Sequence, residues 1–376
     1  MPLKIGITCY PTYGGSGVIA TELGKELANR GHEVHFVSYA QPIRLEKFHE
    51  RIFFHEVDML PYPLFQYPPY DLALAAKMTE IANYAHLDLF HVHYALPHAI
   101  SAFLAKSMIE DRQVKVVTTL HGTDITLVGA DKSYFPITKF GILKSDGVTT
   151  VSEHLKQVTL QQIGQKRDIE VIPNFVDTQF FRKPAEQDCS KRALAPKKES
   201  VLLHISNFRP LKRIMDVIRI FEIVVKEHSA RLVFAGDGPE RSMAEKYCRE
   251  NNLMDKVMFL GKLDNVPDLM GCTDVLLLPS EFESFGLVAL EAMSCEVPVV
   301  ATNVGGIPEV VVHGETGFLG NLGDVQTMAK YVLRILKDQE LKTHMAEAAR
   351  RRAVEVFDQM RIVPLYEKYY EKVLKS

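Results

Sequence analysis

A pair of carboxylates offers the clearest chemistry in this chain. They lie in Pro279-Ser280-Glu281-Phe282-Glu283-Ser284-Phe285-Gly286-Leu287-Val288-Ala289-Leu290-Glu291-Ala292-Met293, which follows an apolar run of buried-strand type over 274–278. Helical spacing begins at Gly286. A helix starting there leaves the N–H groups of Gly286, Leu287 and Val288 without intrahelical partners, which makes a site for an anion such as phosphate. Glu291 sits one turn further on, among Leu287, Val288, Leu290, Ala292 and Met293. A carboxylate in such surroundings is costly unless something donates hydrogen bonds to it, and a diol is such a donor. Glu283, in the loop before the helix, is suited to accept from sugar hydroxyls.

Three other groups bear on chemistry. The cluster Gly14-Gly15-Ser16-Gly17-Val18-Ile19-Ala20 follows the first apolar run and opens a helix, so Gly15, Gly17 and Ala20 fit the dinucleotide fingerprint. However, Tyr10-Pro11-Thr12-Tyr13 intervenes, and the second strand ends in Ser38-Tyr39-Ala40-Gln41 with no acidic residue for an adenosine ribose. What survives is a glycine-rich turn that lets a ligand approach backbone N–H groups. His121, in Leu120-His121-Gly122-Thr123, falls at a strand end, where α/β sheets bind ligands. His91-Val92-His93 puts two imidazoles on one strand face, but no third ligand follows at useful spacing, which argues against a metal site.

These residues need a scaffold of βαβ units. Short β-branched runs alternate with helical periodicity along the chain, the pattern of parallel sheets. Strands are expected at Leu3–Cys9, Glu33–Ser38, Leu89–His93, Lys115–Leu120 and Gly147–Val151, with helices Gly17–Arg30 and Pro97–Met108 between them. Pro61–Tyr70, rich in proline and aromatics, is expected to be a loop. A linker is expected within Asn174–Ser200. Beyond it lie strands Ser200–Ser206, Arg231–Ala235, Val257–Gly261, Val275–Leu278 and Val297–Ala301, and a helix with Ile214, Val217, Ile218, Phe221, Val224 and Val225 on one face. The tail from Asp324 is mostly helical, with a break expected at Pro364 before a last helix Leu365–Leu374. The chain therefore divides into two doubly wound domains, 1–173 and 174–359, with helix 360–376 packing back on the first.

Composition narrows the class. The 376 residues carry 44 basic and 47 acidic side chains, a net charge of −3, which argues against nucleic acid as the main partner. The five cysteines, Cys9, Cys189, Cys248, Cys272 and Cys295, are scattered, and their spacing suggests neither a metal knuckle nor a disulfide framework. No apolar run approaches the roughly 18 residues of a membrane span. A cytoplasmic protein without a membrane span is expected, and a homo-oligomer is compatible with these features.

Glu283 and Glu291, eight residues apart with Phe285-Gly286 between them, resemble the paired-glutamate signature of the family 4 retaining glycosyltransferases of GT-B fold. Other segments match that family in order: Gly14–Gly17, Thr119–Asp124, Val151–Glu153, Ile172–Asp177, Gly236–Glu240 and Gly305–Glu309. The resemblance spans essentially the whole chain and implies two facing Rossmann-like domains with a cleft between them. Tyr10–Gly17 and Ser206–Arg213 are similar to a narrower branch, which moves N-acetylglucosamine from UDP-GlcNAc to L-malate at the start of bacillithiol synthesis.

Carried over residue by residue, the resemblance implies that Glu291 holds the ribose of the nucleotide sugar and Glu283 the hydroxyls of the donor sugar. Gly15 and the Gly286, Leu287 and Val288 backbone would meet the diphosphate, with Asn207, Gly261 and Phe285 completing the donor site. Lys212 and Arg209 would neutralise the diphosphate, with Arg213 as a spare, because many relatives carry an arginine where this chain has Asn207. The resemblance also places His121 against the donor sugar near the reacting carbon. The chain has no Asp-x-Asp, the pair by which the other large glycosyltransferase fold class chelates its metal, so catalysis without metal or cofactor is expected.

A dicarboxylate acceptor needs hydrogen-bond donors or cations, and Ser16, Tyr94, Thr123 and Asn174 are the candidates in the first domain. Retention by double displacement would need a carboxylate nucleophile beneath the anomeric carbon, and the resemblance assigns neither glutamate there. The implied route is same-face attack through a short-lived ion pair. A lipid-linked or inositol-type acceptor, and a UDP-sugar epimerase of the same fold, are the alternative functions.

Overall fold

The computed structural model describes residues 2–12, 14–45, 47–60, 62–184, 191–263 and 266–376. Residues 185–190 of the expected linker, with Cys189, lie outside that set, as do Tyr13 and Pro61. The chain forms two compact units, one made of 1–174 with 359–376 and the other of 175–358.

Unit 1 is built on a parallel seven-stranded sheet. Its strands are β1 (Lys4–Thr8), β2 (Glu33–Ser38), β3 (Ile52–Glu56), β4 (Leu89–His93), β5 (Lys115–Leu120), β6 (Gly147–Thr150) and β7 (Glu170–Val171), in the order 3-2-1-4-5-6-7. The order reverses between β1 and β4, so the loops leaving β1, β4 and β5 open where α/β sheets bind ligands. These loops carry the Gly14–Gly17 turn, Tyr94 and His121. Helix Gly15–Asn29 starts from the glycine turn. Ser152 caps helix Glu153–Ile163, its hydroxyl accepting from the Leu155 N–H at 3.1 Å, which gives the Val151-Ser152-Glu153 motif a structural role.

Unit 2 repeats the plan with six parallel strands: β8 (Ser200–Ile205), β9 (Ala230–Ala235), β10 (Val257–Phe259), β11 (Val275–Leu278), β12 (Val299–Thr302) and β13 (Gly317–Gly320), in the order 10-9-8-11-12-13. The switch falls between β8 and β11, whose loops are Ser206–Arg213 and Pro279–Gly286. Helix Ile214–Glu227 buries Ile214, Val217, Ile218, Ile220, Phe221 and Val224 in the core of this unit, while Val225 is only partly buried against it. Burial of each such large side chain stabilises the unit by about 1.5–3 kcal/mol. Buried strands without polar alternation are what a sheet covered on both faces demands.

The α/β doubly wound reading holds in both units, and four strands, β2, β4, β5 and β11, have the expected bounds. Three strands went unread: β3, β7 and β13. Pro364 does not break the last helix but sits inside Gln359–Lys375. A proline forgoes one backbone bond, and here it does so near the helix start, where residues 360 and 361 face solvent. Ile362, Val363, Tyr366, Tyr369, Tyr370 and Val373 anchor that helix through their burial in unit 1. The cysteine expectation is also corrected. Cys9, Cys248 and Cys295 are buried and free, whereas Cys272 is disulfide-bonded, because neighbours in space need not be close in sequence. Among the described residues no helix is long and apolar enough to cross a membrane.

Candidate active site

In unit 2 the carboxyl ends of β8 and β11 carry the predicted donor residues other than Gly15 and Gly261. His204, buried in β8, donates from Nδ1 to the Leu277 carbonyl at 2.9 Å and accepts at Nε2 from the Ser206 hydroxyl at 2.8 Å. Burial pushes its imidazole down to about 4, so it is neutral at pH 7, and the bond to a carbonyl places the proton on Nδ1. Ser206 Oγ in turn accepts from the Phe208 N–H at 3.2 Å. This relay ties β8 to β11 and fixes the start of the loop that presents Asn207, Arg209 and Lys212. Asn207 and Arg209 are exposed, and Lys212 ends a short 3₁₀ turn, Pro210–Lys212. The Glu281 N–H donates to the Leu211 carbonyl at 2.8 Å, joining this loop to the carboxylate loop.

Lys212 Nζ forms an ion pair with Glu283 Oε1, and Ser280 Oγ donates to the same oxygen at 2.9 Å. Two donors on Oε1 orient the carboxylate and leave Oε2 for another partner. Ser280 is fully buried, and its own carbonyl accepts from Thr302 Oγ1 at 2.5 Å. The sequence reading passed over Ser280, although it stands within the carboxylate stretch three residues before Glu283. The turn at Gly305 and Gly306 explains the fit beneath Glu283. A Cβ on Gly305, whose φ is +57°, would lie 1.9 Å from the Glu283 carbonyl oxygen, while the Gly306 N–H donates to that oxygen at 2.9 Å.

Gly286 adopts φ +95°, the left-handed conformation that turns the chain into helix Leu287–Ser294. The N–H groups of Gly286, Leu287 and Val288 have no acceptor among the described residues, as at any uncapped helix start. Phe285 is 2% exposed and packs edge-on against Phe357, so its side chain is committed to the core. Glu291 is half-buried on the second turn, while Ala289, Leu290, Ala292 and Met293 are buried. Gly261 accepts at its carbonyl from the Gly236 N–H at 2.7 Å, at the end of β10. Arg213, expected as a spare cation, is instead bound to Asp216, with Nε 2.5 Å from Oδ2 of that buried carboxylate. Arg213 thus has a carboxylate partner within its own turn, and Arg209 has none among the described residues.

In unit 1 the predicted acceptor residues cluster at the ends of β1, β4 and β5. Ser16 Oγ and Tyr94 OH share a hydrogen bond of 2.7 Å, and the Tyr94 ring lies 5.3 Å from that of His121. His121 Nε2 is 2.8 Å from His93 Nδ1. Burial holds both imidazoles well below their ordinary range, His121 at about 3, so both are neutral. The backbone N–H groups of Gly122 and His121 donate to Asp124 Oδ1 at 2.9 and 3.2 Å, which fixes the strand end. Asp124 was not singled out from the sequence, although it closes the Thr119–Asp124 motif. Thr123 is half-buried beside it, and Asn174 is buried with Oδ1 unpartnered. His91 and His93 stack at 4.5 Å, but His91 is spent on Tyr370 OH and Thr119 Oγ1, each at 2.7 Å.

Comparison with known proteins places this arrangement. Residues 13–180 match the model described as Glycosyltransferase Family 4, and residues 186–352 match Glycosyl transferases group 1. The N-acetyl-alpha-D-glucosaminyl L-malate synthase of Bacillus anthracis is 50% identical over 376 residues, covering 100% of this chain and 98% of its own. Among solved structures, Anabaena Alr3699/HepE in complex with UDP and glucose has a TM-score of 0.84 at 22% identity, covering 98% of this chain and 99% of its own. The sucrose-phosphate synthase of Thermosynechococcus elongatus has a TM-score of 0.81 at 22% identity, with 99% of each chain covered. With a full-length relative at that identity and both halves matched, the chain belongs to glycosyltransferase family 4, the glycosyl-transferring enzymes of GT-B fold.

Proposed function

We propose that this chain moves N-acetylglucosamine from UDP-GlcNAc to the hydroxyl of L-malate, keeping the α configuration, as the first step of bacillithiol synthesis. The observation that carries the reading is the 50% identity, over the full chain, to the Bacillus anthracis synthase. In this reading Glu291 accepts from the ribose hydroxyls and Glu283 from the sugar. Lys212, Arg209 and the free N–H groups at Gly286–Val288 hold the diphosphate. Ser16, Tyr94, Thr123 and Asn174 receive the dicarboxylate.

The malate hydroxyl attacks the anomeric carbon from the face that UDP leaves. The bond to the β-phosphate oxygen breaks as the new C–O bond forms, and the hydroxyl proton passes to the departing phosphate. The protein supplies position and charge stabilisation, which in a dry site accounts for much of a barrier reduction. With a lysine, an arginine and a helix start available for two phosphates, the reading assigns no metal.

Mass spectrometry tests it directly. The enzyme is incubated with UDP-GlcNAc, excess EDTA and a panel of small hydroxy acids, inositols and lipid acceptors. A GlcNAc–malate adduct in undiminished yield is expected. An adduct with another acceptor only would move the chain to a different branch of the family. Release of a 2-epimer or free sugar without acceptor would make it an epimerase, and loss of activity in EDTA would remove the metal-free route.

A further inference from the structure

We propose that His93 is a positioning residue that holds His121 as its Nδ1–H tautomer, so that the outward nitrogen of His121 is a hydrogen-bond donor. The inference rests on the reading above that His121 stands at the donor sugar. It starts from three imidazoles in unit 1, all buried: His93 and His98 are fully inaccessible and His121 is 8% exposed.

Burial pushes His98 down to about 4, as it lowers His93 and His121, so each ring is neutral and has one N–H and one bare nitrogen. His98 Nδ1 lies 2.5 Å from the His93 carbonyl oxygen, and a carbonyl only accepts, so the proton of His98 is on Nδ1. Its Nε2, buried and without a partner, is the bare nitrogen. His93 Nε2 is also buried and unpartnered, while His93 Nδ1 and His121 Nε2 share one proton across 2.8 Å.

Two arrangements are open. If His121 donates, the proton of His93 is forced onto Nε2 and becomes a buried orphan N–H, a group that native structures almost never leave unpaired. If His93 donates, its Nε2 is bare, as His98 Nε2 already is beside it. The second arrangement avoids the orphan donor. His121 Nε2 is then the acceptor and Nδ1 carries the proton. Nδ1 bonds to no described residue, and unlike the two orphan nitrogens it is not sealed from solvent. Stacking of His91 on His93 at 4.5 Å, with His91 pinned at both nitrogens, keeps the His93 ring from turning. A donor sugar beside His121 then meets an N–H, which bonds to a hydroxyl or ring oxygen in either the bound or the reacting state.

Nitrogen-15 NMR of ring-labelled wild-type protein reads the tautomers without mutation. The expected result is His121 neutral with the proton on Nδ1 and His93 neutral with the proton on Nδ1. A proton on His121 Nε2 overturns the proposal whatever the kinetics. Variants test positioning. His93→Asn puts an amide nitrogen where Nδ1 stood and should keep most of kcat, whereas His93→Leu should lower kcat about 10- to 100-fold, the worth of one oriented hydrogen bond, with KM for the donor changed far less. Equal losses in both variants would mean that His93 acts only through packing, and the positioning role would fail. Failure of the function reading looks different: no malate adduct forms, yet the His121 tautomer is as assigned.

Discussion

Glu283→Ala is expected to lower kcat by roughly 10²–10³-fold, the range found when one preorganised electrostatic contact to a reacting group is removed. The carboxylate is held in place before substrate arrives, by Lys212 and by Ser280 on Oε1, over a backbone fixed by the Gly305–Gly306 turn. Alanine strips Lys212 of its counter-ion and, in the proposed assignment, removes the sugar's acceptor. Glu283→Gln, which keeps one oxygen acceptor, should fall less. Glu291→Ala is the contrast. In the proposed assignment it loses hydrogen bonds from a ribose that takes no part in bond breaking, so KM for the donor should rise about 10- to 100-fold while kcat stays within a few-fold. Steady-state kinetics at saturating acceptor separates the two patterns. Wild-type constants in both variants would remove the glutamates from the site.

Lys212→Met should be as damaging, with kcat falling by roughly 10²–10³-fold, because in the proposed assignment Lys212 meets the charge that grows on the leaving diphosphate as the glycosidic bond breaks. The side chain is only 17% exposed, so its ammonium acts where water screens it poorly. Lys212→Arg keeps the charge but cannot place a planar fork where one ammonium fits, so partial recovery is expected. Arg209 should matter less, being exposed and free to move. Arg213→Ala should act on stability rather than turnover, since its partner is the buried Asp216. The comparison of Lys212 with Arg213 therefore asks whether position in the loop or charge alone decides.

Much of this was legible in the sequence, for reasons that differ by residue. β2, β4, β5 and β11 are dense in apolar or β-branched residues and bounded by turn chemistry, so pattern alone finds them. β3, Ile-Phe-Phe-His-Glu, lies on the sheet edge with two of its five side chains exposed and none buried, which weakens the buried-strand signal. β13 reads Gly-Phe-Leu-Gly, and terminal glycines mimic a turn. Pro364 looked like a break because local rules cannot register the buried face that holds its helix. At the candidate site, the placement of Glu283, Glu291 and Gly286 in one loop and helix start was legible because these segments are contiguous. Ser280 over Glu283, Arg213 on Asp216 and His93 on His121 were not, because spacing gives residue types and not the direction of a hydrogen bond.

The central claim is retaining transfer of GlcNAc to malate, and proton NMR of the reaction tests it most directly. Enzyme, UDP-GlcNAc and L-malate are mixed in EDTA and the anomeric proton of the product is followed from the first turnovers. A new signal with the small coupling of an α-linked sugar, growing in step with UDP release, is expected. A large coupling, marking β-linkage, or UDP release with only free or epimerised sugar, would contradict it.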